Sequence, residues 1–503
     1  MLATAITPSG PIHVGNLREI LTTEAIYRAL KERGVDAELL YIGDTFDPLR
    51  KVYPFLPPSY EKYIGMPLSD IPCPCGAHEN YAAHFLEPFF ESLKEIGIRP
   101  RKEYAHEMYR SGRYNEAIKL ALDNAETIRE IMKRVAKREL PSSWMPFNVK
   151  CSSCGRLDGE ITSYEYPIAR YACRSCGNEG EVNLTAGGVG KLPWRVDWPA
   201  RWHMLGVTFE AFGKDHAAAG SSWDTGKEIV KEVYHHEPPM PLVYEFIQLK
   251  GKGAMHSSTG TAISAEEILR MTPPEVLRFL LMKYEPSRHI DFDSGLGLLD
   301  LVDEYDRYER VYFGIEEEGV GMKEPKRVYE LSQPYPERMP PTPPVQIPYR
   351  HLVTLIQIAG DWEGVLRILK RNGEIETLSA YEEEKLKERV EKVRYWLEHF
   401  APENVKFSVQ KQPPKIALAD EQKKLLAALR DALESTKWKP EDIHNTIHTV
   451  AAEQGEVMGR NVTKELFTLI YRMFLGKERG PRAGYFLHSL EKSFVLKRIA
   501  EFT

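Results

Sequence analysis

The stretch that most limits what this chain can fold into lies at its start. LATAI reads as a short buried strand. From Asn16 to Arg33 apolar residues recur at Leu17, Ile20, Leu21, Ala25, Ala29 and Leu30, the spacing of a helix that Gly34 stops. AELLYI then reads as a second strand and runs straight into Gly43-Asp44-Thr45-Phe46-Asp47. Strand, helix and strand in that order predict a right-handed crossover between parallel strands, and such sheets bind their ligands outside the carboxyl ends of the strands. His13 and Asp44 both fall there. The turn between the first strand and the helix, TPSGPIHVGN, puts His13, Gly15 and Asn16 at a helix start, where N–H groups and the helix dipole favour an anion such as a phosphate. Taken alone, the same letters also fit a histidine that merely caps the helix, and the spacing is neither that of a dinucleotide fingerprint nor that of a P-loop.

With 503 residues, 42% hydrophobic and 28% charged, the chain is expected to be a soluble globular protein of three or more domains. No apolar run approaches a membrane span and the first residues lack a signal-peptide pattern, so no membrane partner and a cytoplasmic address are expected. A formal net charge of -6 means that any nucleic-acid-binding face must be local.

The cysteines fall into two groups. Cys151-Ser-Ser-Cys154 and Cys173-Arg-Ser-Cys176, each followed by glycine, have the spacing of a zinc ribbon, and four thiolates closing a tetrahedron leave no open position for chemistry. The competing reading is a pair of disulfides, disfavoured in a reducing compartment. In CPCGAHENYAAH, Cys73, Cys75, His78 and His84 form a second candidate zinc set with a tighter C-x-C start. A loop with free thiols is its alternative.

Between residues 60 and 192 the sheet pattern is interrupted by both cysteine groups and by helical stretches such as YNEAIKLALDNAETIREIMKRVAKREL, which reads as an insertion between two halves of the sheet. The sheet is expected to resume with VTFEAF, which leads into Gly213-Lys214-Asp215-His216. A helix in SWDTGKEIVKEVY follows, then a strand in PLVYEFIQL and a Gly- and Ser-rich loop, KGKGAMHSSTG. A Pro-rich linker, SQPYPERMPPTPPVQIP, precedes a helical C-terminal region.

In their order, PSGPIHVGN after the first strand, GKDH after a late strand and AMHSSTG in a loop beyond the last resemble the class I aminoacyl-tRNA synthetases. In that family an HIGH-type and a KMSKS-type signature hold ATP on a Rossmann-like fold. Within the family, TPSGPIHVGN, RKV after GDTFD, WRVDWPARW and GPRAG near the C-terminus are similar to the class I lysyl-tRNA synthetases. The resemblance implies an α/β, Rossmann-like parallel-sheet catalytic domain with a zinc-bearing insertion, followed by an all-α C-terminal anticodon-binding region. Its divisions would be 1–59 and 193–262 for the two halves of the catalytic domain, the latter with the KMSKS-type loop, and 60–192 for the insertion. A helical stem-contact region would occupy 263–330, the linker 331–348 and the anticodon-binding region 349–503.

The activity implied is ATP-dependent attachment of lysine to tRNA(Lys) through a lysyl-adenylate, by a monomer using ATP with magnesium and two structural zinc ions. ATP would meet Pro8, Ser9, Gly10, His13, Gly15, Asn16, Gly213, Asp215, Met255 and His256, and catalysis would draw on His13, Asn16, Lys250, Lys252, Ser257 and Ser258. Lysine would meet Ala5, Thr7, Asp44, Trp202 and His216. For tRNA, the basic residues Lys464, Arg472, Lys477, Arg479, Arg482, Lys492, Lys497 and Arg498 lie in the expected anticodon-binding region, where a solvated helical face is the ordinary reading. Phe474, Tyr485, Phe486 and Phe494 read there more as core than as stacking platforms. The chain departs from the family at Ala254 and Thr259, where lysines are usual, and at Ala5, where glycine is. Those departures leave a glutamyl-type specificity or a non-catalytic tRNA-binding paralogue as alternatives.

Overall fold

The structure is a computed structural model that describes residues 1–250, 253–254 and 263–503. They divide into two compact units. The first comprises residues 1–269, 274–292 and 327–339. Its centre is an all-parallel five-stranded sheet in the order Met240–Tyr244, Phe209–Gly213, Leu2–Ile6, Leu39–Gly43, Arg101–Tyr104. The strands Phe209–Gly213 and Leu39–Gly43 are buried at every position, as inner strands covered on both faces must be. The helix Val14–Glu32 makes the first crossover and ends before Gly34, whose φ of +73° is the left-handed geometry that glycine adopts without strain.

That helix buries Leu17, Ile20 and Leu21 as its periodicity predicts, whereas Ala25, Ala29 and Leu30 are only half-buried. Two buried charges take over its inner face. Arg18 donates to the carbonyl oxygens of Glu285 (3.1 Å), Pro286 (3.0 Å) and Arg288 (2.7 Å), while Glu24 accepts from Arg278 (2.8 Å). Arg278 has no exposed surface and also donates to the carbonyls of Ile96 (3.0 Å) and Leu331 (2.8 Å). One guanidinium therefore ties together the first helix, the end of the helix Tyr81–Glu95 and the start of the Pro-rich stretch.

Three features differ from the expectations. Arg101–Tyr104 lies within the expected insertion yet joins the main sheet as an edge strand. It is charged and partly exposed, so it carries no apolar run to announce it. PLVYEFIQL is two strands, not one. Met240–Tyr244 belongs to the main sheet, and Ile247–Leu249 pairs with Ile290–Phe292 and Gly253–Ala254 in a small second sheet. The Pro-rich segment does not begin as a free linker, because residues 327–339 are integrated in the first unit and Arg28 donates to the carbonyls of Gln333 (2.7 Å) and Pro334 (3.2 Å). The long helical stretch of the insertion is two helices, Asn115–Asp123 and Ala125–Ala136. The remainder is an antiparallel sheet in the order Glu179–Asn183, Ile168–Cys173, Gly159–Glu165, Asn148–Val149, Gly190–Lys191.

The second unit comprises residues 270–273, 293–326 and 340–503 and is helical. Its segment 293–326 is bound in by Arg389, which forks onto Asp306 (2.7 and 3.1 Å), and by the Trp396 indole, which donates to the Ser294 carbonyl (2.9 Å). Leu425, Leu429, Ile443, Ile447, Leu466 and Ile470 fill a core from the helices Asp420–Ser435, Pro440–Met458 and Thr463–Leu475. Phe474 and Phe486 lie in that core, Phe494 is half-buried, and Tyr485 is exposed. Arg498 does not contribute to a basic face, because it is buried and donates to the carbonyls of Met473 (3.1 Å) and Gln410 (3.0 Å). Lys464, Arg472, Lys477, Arg479, Arg482 and Lys497 are exposed, while Lys492 is half-buried. Among the described residues no helix is long and apolar enough to cross a membrane.

Docking of the Pro-rich segment depends on Gly97, whose φ is +78° and where an added Cβ would stand 1.9 Å from the Pro334 carbonyl oxygen. Gly97→Ala is expected to cost about 2 kcal/mol or more from left-handed strain and the backbone clash. Thermal denaturation measures it, and an unchanged Tm would contradict this packing.

Candidate active site

Strands Leu2–Ile6 and Phe209–Gly213 are neighbours whose onward connections run to opposite sides of the sheet, so the crevice above their carboxyl ends is the topological switch point where open parallel sheets bind ligands. The Thr7 to Asn16 turn leaves one strand there, and Lys214 to His216 leave the other.

His13 is the N-cap of the first helix. Its Nδ1 accepts from the Gly15 amide (3.1 Å), and its own amide donates to Asn16 Oδ1 (3.2 Å), a reciprocal capping box. With Nδ1 accepting, the neutral ring carries its proton on Nε2. The Val14 amide is also bonded, to the Ile263 carbonyl (3.2 Å), and the Asn16 amide to the His13 carbonyl (2.9 Å). The amides of this first turn therefore already have partners, contrary to the expectation that they would cradle a phosphate. The anion-facing capacity of the turn rests on the His13 and Asn16 side chains and the helix dipole.

The turn has a second neighbour. His13 pairs with Ser264, and the Ala265 amide donates to the Ile12 carbonyl (2.9 Å), so the chain emerging from the late Gly- and Ser-rich loop is stitched to the first helix start. At the other end of that loop, the exposed Lys250 is fixed through its amide to the Phe292 carbonyl (2.9 Å). The described residues that follow the late loop are thus neighbours of the His13 turn. Lys252, Met255, His256, Ser257 and Ser258 lie outside the described residues.

On the other strand, a Cβ added at Gly213 would lie 2.7 Å from Asp215 Oδ1 and 3.1 Å from the Phe246 ring, so a side chain there would displace Asp215. Asp215 is exposed and His216 half-buried, with His216 Nε2 3.7 Å from Asp215 Oδ2. The His216 ring lies 5.5 Å from Trp198 and 5.9 Å from Trp194. Trp202 is placed otherwise. It has no exposed surface, its indole donates to Glu210 (2.6 Å), and its ring packs against Gly226. In WRVDWPARW the tryptophans recur every four residues on one helical face, Trp194–Leu205; the first two meet His216, and of the three only Trp194 is half-open, Trp198 being buried like Trp202.

Ala5 lends its amide to Glu19 (2.8 Å), which also accepts from the Tyr244 hydroxyl (3.0 Å). Burial pushes the Glu19 carboxyl up to about 8, with the charge of Glu210 adding to it. Burial likewise raises Glu210, to about 7, against the two indole donors Trp198 and Trp202. Both acids are satisfied by donors of the protein itself, and nothing in the sequence marks their burial.

Asp44 is not open to a ligand either. Its Oδ1 takes Lys191 Nζ (2.8 Å) and Arg201 Nη2 (2.9 Å). Burial works to raise its carboxyl, but the Arg201 and Lys191 charges outweigh that and hold it at about 2. Lys191 reaches on to Asp47 Oδ1 (2.6 Å), whose carboxyl burial and the nearby Asp44 push upward, and Arg201 bridges to Asp197. Thr7 Oγ1 donates to Asp47 Oδ2 (3.0 Å). Lys191 and Arg201 were missed because nothing in GGVGKLPWRVDWPAR marks a cation as buried.

Both cysteine groups converge. In the larger, Cys151 Sγ lies 3.6 Å from Cys176 Sγ, and Cys154 Sγ 3.7 Å from Cys173 Sγ. Gly155 and Gly177 have φ of +72° and +71°, closing turns whose glycine amides return to the Cys151 (2.9 Å) and Cys173 (2.8 Å) carbonyls. In the smaller, Cys73 Sγ is 3.3 Å from Cys75 Sγ, His78 Nδ1 is 3.4 Å from His84 Nδ1, and mixed S···N separations run from 3.3 to 3.5 Å. All the cysteines are free thiols. A tetrahedral ion with bonds of about 2.3 Å to sulfur and about 2.05 Å to nitrogen requires edges of about 3.8 Å for S···S and about 3.3 Å for N···N, which these sets approach. Each could hold a metal ion. His78 Nε2 lies 3.7 Å from the exposed carboxylate of Glu87, beyond hydrogen-bond distance.

Compared with known families, residues 1–335 match a family described as tRNA synthetases class I (K). The chain belongs to the class I (K) tRNA synthetases. Residues 376–503 of this synthetase match a second family, described as an anticodon binding domain. The chain is 45% identical to Lysine--tRNA ligase 1 of Methanosarcina acetivorans over 100% of its own length and 95% of that protein. It is 42% identical to Lysine--tRNA ligase of Picrophilus torridus over 99% of itself and 95% of that protein. With Lysine--tRNA ligase of Methanocaldococcus jannaschii the identity is 43%, over 100% of this synthetase and 96% of the relative.

Proposed function

We propose that this synthetase activates lysine with ATP and transfers it to tRNA(Lys). The observation that carries the reading is the end-to-end similarity to lysine--tRNA ligases in a chain whose His13 turn, at the switch point, pairs with Ser264. ATP is assigned to the crevice, its phosphates toward Pro8, Ser9, Gly10, His13, Gly15 and Asn16 and its ribose toward Gly213 and Asp215. The lysine carboxylate attacks the α-phosphorus, forming the acyl phosphate bond as the bond to pyrophosphate breaks. Such a reaction needs positioning and charge stabilisation more than covalent help. His13, with its proton on Nε2, suits a donor to phosphate oxygen, and Lys250, Lys252, Ser257 and Ser258 are assigned to the departing pyrophosphate, with Met255 and His256 toward the adenine. Magnesium would supply further charge there.

For lysine, the assigned contacts are Ala5, Thr7 and His216, with the half-buried Trp194 as the aromatic wall, backed by the buried Trp198. Asp44 and Trp202 act from behind that wall. Exposed Lys464, Arg472, Lys477, Arg479 and Arg482 are assigned to the tRNA backbone.

ATP–pyrophosphate exchange with each amino acid in turn tests the reading. Lysine should support exchange and glutamate should not, and His13→Ala should lower turnover about tenfold to a hundredfold with little change in the KM for lysine. Exchange driven by glutamate would reassign the specificity, and exchange with no amino acid would favour a tRNA-binding paralogue.

The metal in both cysteine sets is assigned as zinc, which would clamp the turns and perform no chemistry. Protein purified without chelator should carry close to two zinc ions per chain by emission spectroscopy, with Cys151→Ser losing one and Cys73→Ser the other. An unchanged zinc content in Cys73→Ser would remove the smaller site.

A further inference from the structure

Thr7 follows the central strand Leu2–Ile6 directly and stands at the head of the turn that leads to His13. Its hydroxyl lies 3.0 Å from Asp47 Oδ2, and the other oxygen of that carboxylate lies 2.6 Å from Lys191 Nζ. Lys191 is held in turn by Asp44 (2.8 Å) and its side chain is only 4% exposed, so the ammonium has no solvent-facing alternative. A carboxylate paired with a buried ammonium has oxygens that accept and nothing to donate, and a hydroxyl has one proton to give and two lone pairs. The Thr7 proton is therefore spent on Asp47. What Thr7 presents to the half-open side is lone pairs only.

We infer that Asp47, anchored by Lys191, is a positioning residue that fixes Thr7 Oγ1 as an obligatory acceptor for the α-ammonium of the amino-acid substrate. The inference rests on the reading of the crevice as the amino-acid site. The α-ammonium is chosen because it is one carbon from the carboxylate that must meet phosphate in the turn that Thr7 opens. The arrangement also discriminates: a ligand placing a carboxylate or carbonyl oxygen on Thr7 would face lone pairs against lone pairs, with no proton available to turn toward it.

The test compares the parent with Asp47→Asn, which keeps shape but offers only one carbonyl oxygen. Lys191 retains that oxygen, the amide NH2 then faces Thr7, and the threonine hydroxyl turns its proton outward. The dissociation constant for lysine by titration calorimetry and the KM for lysine in exchange should both rise about tenfold to a hundredfold, the worth of one hydrogen bond to a charged group, while the KM for ATP moves less than twofold. As an inhibitor of exchange, 6-aminohexanoate, which lacks the α-ammonium, should bind parent and variant alike. Thr7→Val should reproduce the loss, Thr7→Ser should retain parent affinity, and the Thr7→Val, Asp47→Asn double variant should be no worse than Thr7→Val alone.

Equal losses for lysine and 6-aminohexanoate, equal effects on lysine and ATP, or additive losses in the double variant would overturn the inference. Should Asp47→Asn fail to fold, Thr7→Val against Thr7→Ser decides by itself: parent affinity in the valine variant overturns the acceptor role. A parent that binds no lysine defeats the assignment of the site, whereas a parent that binds lysine with variants that bind it equally well defeats only the role given to Thr7 and Asp47.

Discussion

A buried cluster of five charges holds the first unit together where its pieces meet. Asp44 and Asp47 come from the loop after the strand Leu39–Gly43, Lys191 from the cysteine-bearing antiparallel sheet, and Asp197 and Arg201 from the helix Trp194–Leu205. Removing these ions from water is expensive, and their attraction repays the cost only when further hydrogen bonds satisfy them. Tyr109 supplies one such bond, donating to Asp197 (2.6 Å) while accepting from the Leu192 amide (3.1 Å), and Tyr114 accepts from Arg201 Nε (3.1 Å). Among the described residues Asp44 Oδ2 and Arg201 Nη1 find no hydrogen-bond partner, so the cluster is not fully compensated. Apolar packing of the same volume would serve stability as well. What ions add here is direction: they orient Thr7 at one edge of the crevice, and through Arg201 and its helix they seat the tryptophan wall at the other.

The same logic links the cysteine turns to the crevice. Val149 pairs with Gly190, and the Lys150 amide donates to the Val189 carbonyl (2.8 Å), one residue before Cys151. A metal closing the Cys151 turn fixes that register, and the register decides which way Lys191 points, since a slip of one residue would turn its side chain to the opposite face. The cysteine turn is thereby coupled through Lys191 to Asp44 and Asp47.

How much of this was legible depended on whether a residue's role was written in local pattern. The opening strand, helix and strand were readable because inner parallel strands are continuously apolar and the helix repeats every three to four residues. The cysteine sets were readable because tetrahedral geometry demands fixed spacing. The strand Arg101–Tyr104 was not, since an exposed edge strand needs charge where an inner one needs apolar bulk. Lys191, Arg201 and Arg278 carry no local sign of burial, because burial of a charge is decided by partners far away in sequence: Asp44 lies 147 residues from Lys191, and Glu24 lies 254 residues from Arg278. His13 was readable as the head of the first helix, but its reciprocal cap with Asn16 and the prior engagement of the neighbouring amides emerge only from the geometry. The burial of Trp198 and Trp202 was not readable, because a helical face carrying a tryptophan every four residues gives no sign of which rings the neighbouring strand will bury.

The most direct test of the account is a crystal structure with a non-hydrolysable lysyl-adenylate analogue. The account predicts the adenylate across the carboxyl ends of Leu2–Ile6 and Phe209–Gly213, its phosphoryl mimic against His13, its α-ammonium on Thr7 Oγ1, and its aliphatic chain alongside His216 and the half-buried Trp194. An analogue bound elsewhere on the sheet, or seated in the crevice with its carbonyl rather than its ammonium on Thr7, would contradict it.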